Sequence, residues 1–308
     1  MRAAAVDLGT NTALLCVADV SGDGLRVIHD EETIVRLGEG VDATGSITPA
    51  AHRRLLDAME RCAQTARDLG VEAIVGVATS ASRDAENARE VLDDIKRRTG
   101  IDLQIISGEE EARLTFLGGI SDVPSAGNSV VTIDIGGGST EITAGQRQDN
   151  SWKLDVRSTP TGALRIRDRF FSKMPPAAAE IETARRFVAQ SVSDFRPSPE
   201  AEFVGTSGST TVFRHLLERH DPDSLVTRDD SAVIVSLMDV QRWSERLLTA
   251  PYDEVLALSP DVMRGRADIY SANMLVLETA MDVLDYDYVV ISGRGLRHGV
   301  LLGAVKSV

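Results

Sequence analysis

Aromatic residues and long apolar runs are scarce in this sequence. Aromatic side chains make up 4% of the 308 residues, so a stacking platform for a nucleobase is not evident. The most apolar runs, such as SVVTIDIG and YVVISG, are far shorter than the ~20 residues that cross a bilayer as a helix. The N-terminus meets an acid at Asp7 before any signal-like segment forms. We therefore expect a cytoplasmic protein that does not bind a membrane.

Cysteine and positive charge are also in short supply. Cys16 and Cys62 lie inside apolar patterns without a partner at metal-ligand spacing, which predicts buried, unreactive thiols. Lys and Arg number 33 against 47 Asp and Glu, for a formal net charge of −14. This balance argues against a nucleic-acid or anionic-membrane surface. An anionic ligand would have to be held by local dipoles, a few arginines and a metal ion.

The length and the pattern of apolar residues favour two α/β domains. At 308 residues the chain exceeds the usual size of a single core. A hairpin pattern and a third strand are followed by helices alternating with strands, which predicts a three-layer α/β domain. Thr48 and Pro49 have the N-cap and first-turn pattern of a helix that ends near Gly70. The turn-rich linker SDVPSAGN lies near residue 122, so we place the domains at residues 1–122 and 123–308.

The opening motif recurs in the second half of the chain. VDLG ends at Gly9 and IDIG ends at Gly136, and each is followed by small polar residues and a second strand pattern. The repeat indicates two related domains in tandem. Neither copy is a dinucleotide fingerprint, since each leads into a strand, and neither has the Lys-Ser/Thr of a Walker loop. We predict that the stretch from about 177 to 280 is mostly helical.

The two repeated loops are candidate phosphate-binding sites. Glycine lets main-chain N–H groups turn toward an anion, and Ser or Thr hydroxyls add donors. An Asp at the adjoining strand end suits Mg²⁺. One such loop alone would favour a plain hairpin turn, but two copies that each follow an apolar-Asp-apolar pattern favour a ligand site. The loop residues are Gly9, Thr10, Asn11, Thr12, Gly136, Gly137, Gly138 and Ser139.

Four further patterns each allow a purely structural and a functional interpretation. The three acids of GEEEARL either complement a helix dipole or include a general base, and their residue types do not choose among them. Arg83 in ATSASRDAEN is either a phosphate donor or a solvated helix residue. Ser207 and Gly208, in the predicted loop GTSGSTT, either bind a further phosphate or form a turn. The alternating arginines of TGALRIRDRF either line a groove or decorate a surface.

Taken in order, these motifs resemble a known family. VDLGTNT, ATSASRDAEN, ISGEEEARL, IDIGGGSTE, VGTSGSTT and ISGRGLRHGVL are similar to the motif blocks of the exopolyphosphatase and guanosine pentaphosphate phosphohydrolase (Ppx/GppA) family, part of the superfamily of actin and the sugar kinases. The resemblance spans essentially the whole chain. It implies two ribonuclease-H-like domains with an interdomain cleft as active site. It also implies hydrolysis of a terminal phosphoanhydride by water, dependent on Mg²⁺ or Mn²⁺, with release of orthophosphate.

The resemblance also implies roles for individual residues. By matching position, Glu111 resembles the general base that activates water. Asp134 and Glu141 resemble the carboxylates that hold the metal or position the nucleophile. Asp7 resembles the corresponding acid of the first loop, and Arg83 the arginine that contacts the phosphate chain.

The chain departs from the family pattern in two places. Many members continue into a further helical domain, whereas this sequence stops at Val308. We therefore expect no long basic channel, in agreement with the net charge, and a preference for short polyphosphate. His298 stands where a Glu often follows Arg in the family, so it is assigned no role. We expect the closing helix, about 296–308, to pack onto the first domain, as in the superfamily.

Several functional alternatives stay open from the sequence. Guanosine pentaphosphate ends in the same anhydride as polyphosphate, so the loops do not separate these substrates. A sensor of phosphate or alarmone without turnover is a third hypothesis, although extra acids near an anion bring a pure binder no advantage. A kinase or ATPase of the same superfamily is a fourth. The resemblance also suggests a homodimer.

Overall fold

The computed structural model describes residues 1–21, 24–123, 127–149, 151–228 and 232–304. The chain forms two compact units: unit 1 comprises Met1–Gly118 with the C-terminal segment from Gly295, and unit 2 comprises Gly119–Arg294. The N-terminal segment of unit 1 thus ends at Gly118, a few residues before the boundary expected near residue 122. Residues 124–126 of the predicted linker lie outside the described residues.

Unit 1 alternates strands and helices around a mixed sheet. Its strands are β1 (Arg2–Leu8), β2 (Thr12–Ser21), β3 (Gly24–Ile34), β4 (Ala73–Ala78) and β5 (Leu103–Ile105). The helices in this part of the chain are α1 (Val41–Thr44), α2 (Pro49–Asp68), α3 (Ser80–Asp84), α4 (Ala88–Thr99) and α5 (Gly108–Gly119). The strand order is β3-β2-β1-β4-β5. Strands β1 to β3 form an antiparallel meander, and β4 and β5 run parallel to β1.

The two faces of β1 bury different residues, which creates the three layers of unit 1. Ala4, Val6 and Leu8 pack in a core with apolar residues of α2 and α4. Helix α2 begins as predicted, because Thr48 Oγ1 accepts the Ala51 N–H at 3.2 Å and Pro49 fills the first turn. The opposite face of β1, with Ala3 and Ala5, packs on other apolar residues.

Unit 2 repeats this arrangement and extends it. Its strands are β6 (Ser129–Ile135), β7 (Thr140–Gln148), β8 (Ser151–Thr159), β9 (Glu202–Thr206), β10 (Val226–Arg228), β11 (Ala232–Ser236) and β12 (Tyr288–Ile291). Its helices are α6 (Ala163–Phe170), α7 (Ala178–Val192), α8 (Ser207–His220), α9 (Leu237–Thr249), α10 (Tyr252–Leu258), α11 (Pro260–Met263) and α12 (Tyr270–Leu284). The strand order is β10-β11-β12-β9-β6-β7-β8. The segment predicted to be mostly helical therefore also supplies β10 and β11.

Both units have the ribonuclease-H-like strand order. In unit 2, β8-β7-β6-β9-β12 has the order and directions of β3-β2-β1-β4-β5 in unit 1, and β11 and β10 add antiparallel strands at one edge. The tandem repeat and the α/β class expected from the sequence are confirmed. Among the described residues, no helix is long and apolar enough to cross a membrane.

The C-terminal helix α13 (Leu296–Ala304) belongs to unit 1. Leu296, Val300 and Leu301 join Leu114 of α5 in the core on the second face of β1. Gly299 permits this packing, since a Cβ there would overlap the carbonyl of Leu114. The described part of the closing helix therefore packs where the resemblance implied, and residues 305–308 lie outside the described chain.

Both cysteines are buried, and neither forms a disulfide within the part of the chain that the structure describes. Burial raises the pKa of the Cys62 thiol to about 11, which keeps it protonated and unreactive at neutral pH.

Candidate active site

The tip of the first hairpin is tied to the segment that follows β3. The Gly9 N–H donates to the Thr12 carbonyl at 2.8 Å, and the Thr10 carbonyl accepts from Gly38 at 2.9 Å. The Asn11 carbonyl accepts two more main-chain N–H groups at 2.9 Å. The Asn11 Oδ1 atom is buried without a hydrogen-bond partner in the described structure. Buried polar atoms of this kind also occur elsewhere in the described structure, as at Ser82 and Thr143, so Asn11 Oδ1 by itself does not identify a ligand site.

The tip of the second hairpin is held by the start of α6. The Gly136 carbonyl accepts the Ala163 N–H at 2.9 Å, and the Gly137 and Gly138 carbonyls accept the Arg165 N–H and Nε at 3.1 and 2.8 Å. In a trans peptide the N–H points opposite to the carbonyl. The N–H groups of Gly137, Gly138 and Ser139 therefore point away from α6, which is the orientation an anion-binding loop needs.

Gly162 makes this close approach possible. A Cβ at this position would overlap the main chain of Gly137, Gly138 and Ser139. The sequence patterns alone do not predict that Gly162 and Arg165 contact the glycine loop at residues 137–139. A sequence signal existed for both, since TGALR directly follows the third strand of the repeat.

A row of polar side chains crosses unit 2 beside this loop. Asp134 of β6 pairs with Glu141 of β7, and Glu141 pairs with Ser158 of β8. Directly opposed residues share a face, with Cβ atoms about 4.5–5.5 Å apart. Asp134 and Glu141 are 9% and 3% exposed, and Ser158 Oγ donates to Glu141 Oε1 at 2.7 Å. The structure thus brings together the two carboxylates that the resemblance assigns to the metal.

The first repeat lacks this carboxylate pair. Asp7 of β1 pairs with Leu14 of β2, and Leu14 pairs with Glu32 of β3. Asp7 is 8% exposed and occupies the position equivalent to Asp134, but Leu14 stands where unit 2 has Glu141. The two hairpins therefore share the same strand pairing, but only the hairpin of unit 2 has a second acid opposite the first.

The prediction that GTSGSTT forms a loop is wrong, because strand β9 ends at Thr206 and helix α8 begins at Ser207. The Oγ1 of Thr206 donates to the Ile133 carbonyl at 3.1 Å rather than capping the helix. A Cβ on Gly208 would meet no atom within 4 Å. The first turn of α8 therefore presents main-chain N–H groups, as anion sites at helix N-termini do. The side chain of Ser207 lies outside the described structure.

The structure separates the three acids at the start of α5. Glu109 is exposed. Glu110 pairs with Arg113 at 2.8 Å, and this hydrogen bond lowers the pKa of the Glu110 carboxyl. Glu111 is 7% exposed, and its Oε2 lies 2.6 Å from Arg83 Nη1. The buried carboxylate of the three is thus the one to which the resemblance assigns the general base.

Arg83 holds Glu111 from α3. Its Nη1 also donates to the Ile106 carbonyl at 3.0 Å, so the guanidinium is fixed to the end of β5 as well as to the carboxylate. The sequence presented Arg83 and Glu111 as separate candidates, and their ion pair joins residues far apart in the chain. The neighbouring Asn87 has a structural task, since its amide bonds both the N–H and the carbonyl of Ile47.

The alternating arginines at 165, 167 and 169 lie on helix α6, so they do not form one row. Arg165 contacts the glycine loop. Arg167 forms ion pairs with Asp168 and Asp268, and Arg169 is exposed.

The carboxylate oxygens of Asp134 and Glu141 fit a hard divalent cation. Mg²⁺ prefers carboxylate oxygens together with water and phosphate, and Asp134 and Glu141 supply two carboxylates on one face. A second cluster suits Mg²⁺ poorly, although Cys16, Asp30 and His298 have ligand atoms within 4.8 Å of one another. Thiol sulfur is a soft donor, and Asp30 already receives both Nε and Nη2 of Arg297 at 2.7 Å.

The fold and these side chains define a class of protein with two ribonuclease-H-like units and, in unit 2, two opposed carboxylates beside a glycine-rich hairpin tip. The chain belongs to the Ppx/GppA phosphatase family, whose model it matches over residues 16–308.

Similar proteins agree with this assignment. Exopolyphosphatase 2 of Mycobacterium tuberculosis is 32% identical over 324 aligned positions that cover 98% of each chain. Exopolyphosphatase 1 of Mycobacterium tuberculosis is 29% identical, with 100% of this chain and 89% of the relative covered. The crystal structure of an exopolyphosphatase from Cytophaga hutchinsonii superposes with a TM-score of 0.85 at 26% identity, covering 100% and 99% of the chains. The Aquifex aeolicus Ppx/GppA family member gives 0.79 at 25% identity, covering 100% and 98%.

Proposed function

We propose that this protein is an exopolyphosphatase, which hydrolyses the terminal phosphoanhydride of inorganic polyphosphate and releases orthophosphate. The observation that carries the proposal is the pairing of Asp134 with Glu141 beside the glycine loop of unit 2. An anion cradle alone would serve a binding protein. Two buried carboxylates next to it raise the electrostatic cost of binding an anion unless a cation is bound as well.

The proposed role of unit 2 is to hold phosphate and cation. Asp134 and Glu141 would hold Mg²⁺ or Mn²⁺, which neutralises charge on the phosphate oxygens when bound. The N–H groups of Gly137, Gly138 and Ser139 donate to phosphate oxygens. The start of α8 adds main-chain donors at Ser207 and Gly208.

The proposed role of unit 1 is to accept a proton and to bind phosphate. Glu111 takes the proton from the attacking water, and Arg83 fixes its carboxylate. Gly9, Thr10, Asn11 and Thr12 form the second main-chain cradle, with Asp7 as its adjoining acid. Water then adds to the terminal phosphorus while the bridging P–O bond breaks, and the shortened chain leaves with its negative charge.

An orthophosphate-release assay tests this function directly. Purified protein with Mg²⁺ is given polyphosphates of graded length, guanosine pentaphosphate and ATP in parallel. We expect release from polyphosphate, faster from short chains, because a protein of net charge −14 repels a long polyanion. Release from guanosine pentaphosphate alone would instead identify an alarmone phosphatase. Absence of release from every substrate would contradict both activities.

A further inference from the structure

Ser158 contacts the carboxylate of Glu141 from the neighbouring strand. The antiparallel pairing of β7 with β8 places the two residues opposite each other, and Ser158 Oγ donates to Glu141 Oε1 at 2.7 Å. The last torsion of a glutamate side chain is broad and weakly restrained by itself. A hydrogen bond to one oxygen therefore restricts how the carboxylate turns.

We propose that Ser158 is a positioning residue that orients Glu141 toward a divalent cation. This inference rests on the proposed function, in which Asp134 and Glu141 hold the cation. Hydrogen-bond donors to metal-binding carboxylates set the orientation of the ligand, and their removal typically lowers metal affinity by about 10–100-fold.

The internal repeat provides an independent argument. In unit 1 the equivalent row is Asp7, Leu14 and Glu32. In unit 1, Leu14 stands at the position of Glu141, and Glu32 stands at the position of Ser158. The carboxylate and the hydroxyl that bonds it are therefore both absent from these positions of unit 1. A hydroxyl needed for the sheet itself would not have to accompany the carboxylate.

The next residue on β8 shows what a sheet-stabilising hydroxyl does. Thr159 Oγ1 donates to the main-chain carbonyl of Thr140 at 3.1 Å, whereas Ser158 bonds a carboxylate. Ser158 is itself exposed, while Glu141 is buried. Replacing Ser158 by alanine therefore removes the hydrogen bond without opening a cavity in the core.

Manganese binding measures this role separately from turnover. Free Mn²⁺ is titrated with the full-length protein by electron paramagnetic resonance, for wild type, Ser158→Ala and Ser158→Thr. Ser151→Ala is the matched control, since it removes a hydroxyl of the same strand that bonds the Gln148 carbonyl. We expect Ser158→Ala to weaken Mn²⁺ binding by about tenfold, the low end of the range, because water can replace an exposed hydroxyl.

The remaining variants and the activity assay complete the test. Ser158→Thr keeps the hydroxyl on a residue suited to a strand and retains most of the affinity, and Ser151→Ala binds like wild type. Raising the Mn²⁺ concentration restores turnover in Ser158→Ala, which a structural defect would not allow.

Two results would overturn the assignment of Ser158. One is unchanged Mn²⁺ affinity in Ser158→Ala, and the other is an equal loss in Ser151→Ala. A wild-type protein whose Mn²⁺ binding depends on Ser158, yet which releases no orthophosphate, would support this inference and contradict the proposed function. Orthophosphate release with unchanged metal affinity in Ser158→Ala would do the reverse.

Discussion

Glu111→Gln separates chemistry from folding at the proposed general base. The amide keeps the shape of the side chain and an oxygen that accepts from Arg83, but it does not take up a proton at neutral pH. Loss of a general base slows a reaction by about 10²–10⁴-fold. This corresponds to about 3–5 kcal/mol of activation free energy. We expect the decrease in kcat, with KM for polyphosphate nearly unchanged.

The structure predicts a small effect of Glu111→Gln on stability. Breaking a buried ion pair costs about 3–5 kcal/mol when the remaining charge is left uncompensated. The Arg83 side chain is 22% exposed, keeps its bond to the Ile106 carbonyl and gains the glutamine oxygen as acceptor. The free energy of unfolding should therefore fall by about 1 kcal/mol, which shifts Tm by about 2–4 °C.

Orthophosphate release and thermal unfolding are measured on the same preparations. Glu110→Gln is the matched control, because this half-buried neighbour pairs with Arg113 and the change should leave kcat at the wild-type value. A kcat near wild type in Glu111→Gln would refute the reasoning and move the base to Glu109, Glu110 or Glu141. A large loss of Tm would show that the residue is mainly structural.

Three further perturbations follow from the same contacts. Arg83→Lys keeps a charge but loses the planar group that reaches both Glu111 and the Ile106 carbonyl, so kcat should fall, by less than the about 10²–10⁴-fold expected from losing the base itself; a kcat equal to that of wild type would show that the guanidinium does not position Glu111. Gly162→Ala should lower Tm and raise KM for polyphosphate, because a Cβ would displace the glycine loop; an unchanged KM would show that the loop does not bind substrate. Chelation of divalent ions should abolish turnover, and added Mg²⁺ should restore it; turnover that persists in chelator contradicts the metal role of Asp134.

The strand order around each hairpin and the pairing of Asp134 with Glu141 were largely predictable from local sequence patterns. A repeated strand, tip and strand predicts two related hairpins. Because Gly136 and Ser139 close the second tip, simple counting places Asp134 opposite Glu141. Alternation along a strand then puts both carboxylates on one face.

Other parts of the site depend on contacts between distant segments. The ion pair of Arg83 with Glu111 joins two helices, and no local pattern predicts it. Glycine and threonine are poor helix formers, which made GTSGSTT resemble a loop. Helix α8 nonetheless begins there, because Thr206 and Ser209 donate side-chain hydrogen bonds to carbonyls of β6 and tertiary contacts outweigh local propensity.

Hydrolysis of tripolyphosphate in water labelled with heavy oxygen tests the central claim most directly. Mass spectrometry of the products shows which phosphorus atom the solvent oxygen joins. Attack by water on the terminal phosphorus predicts labelled orthophosphate and unlabelled pyrophosphate. Label in the pyrophosphate, or phosphate released without solvent oxygen, would contradict the account.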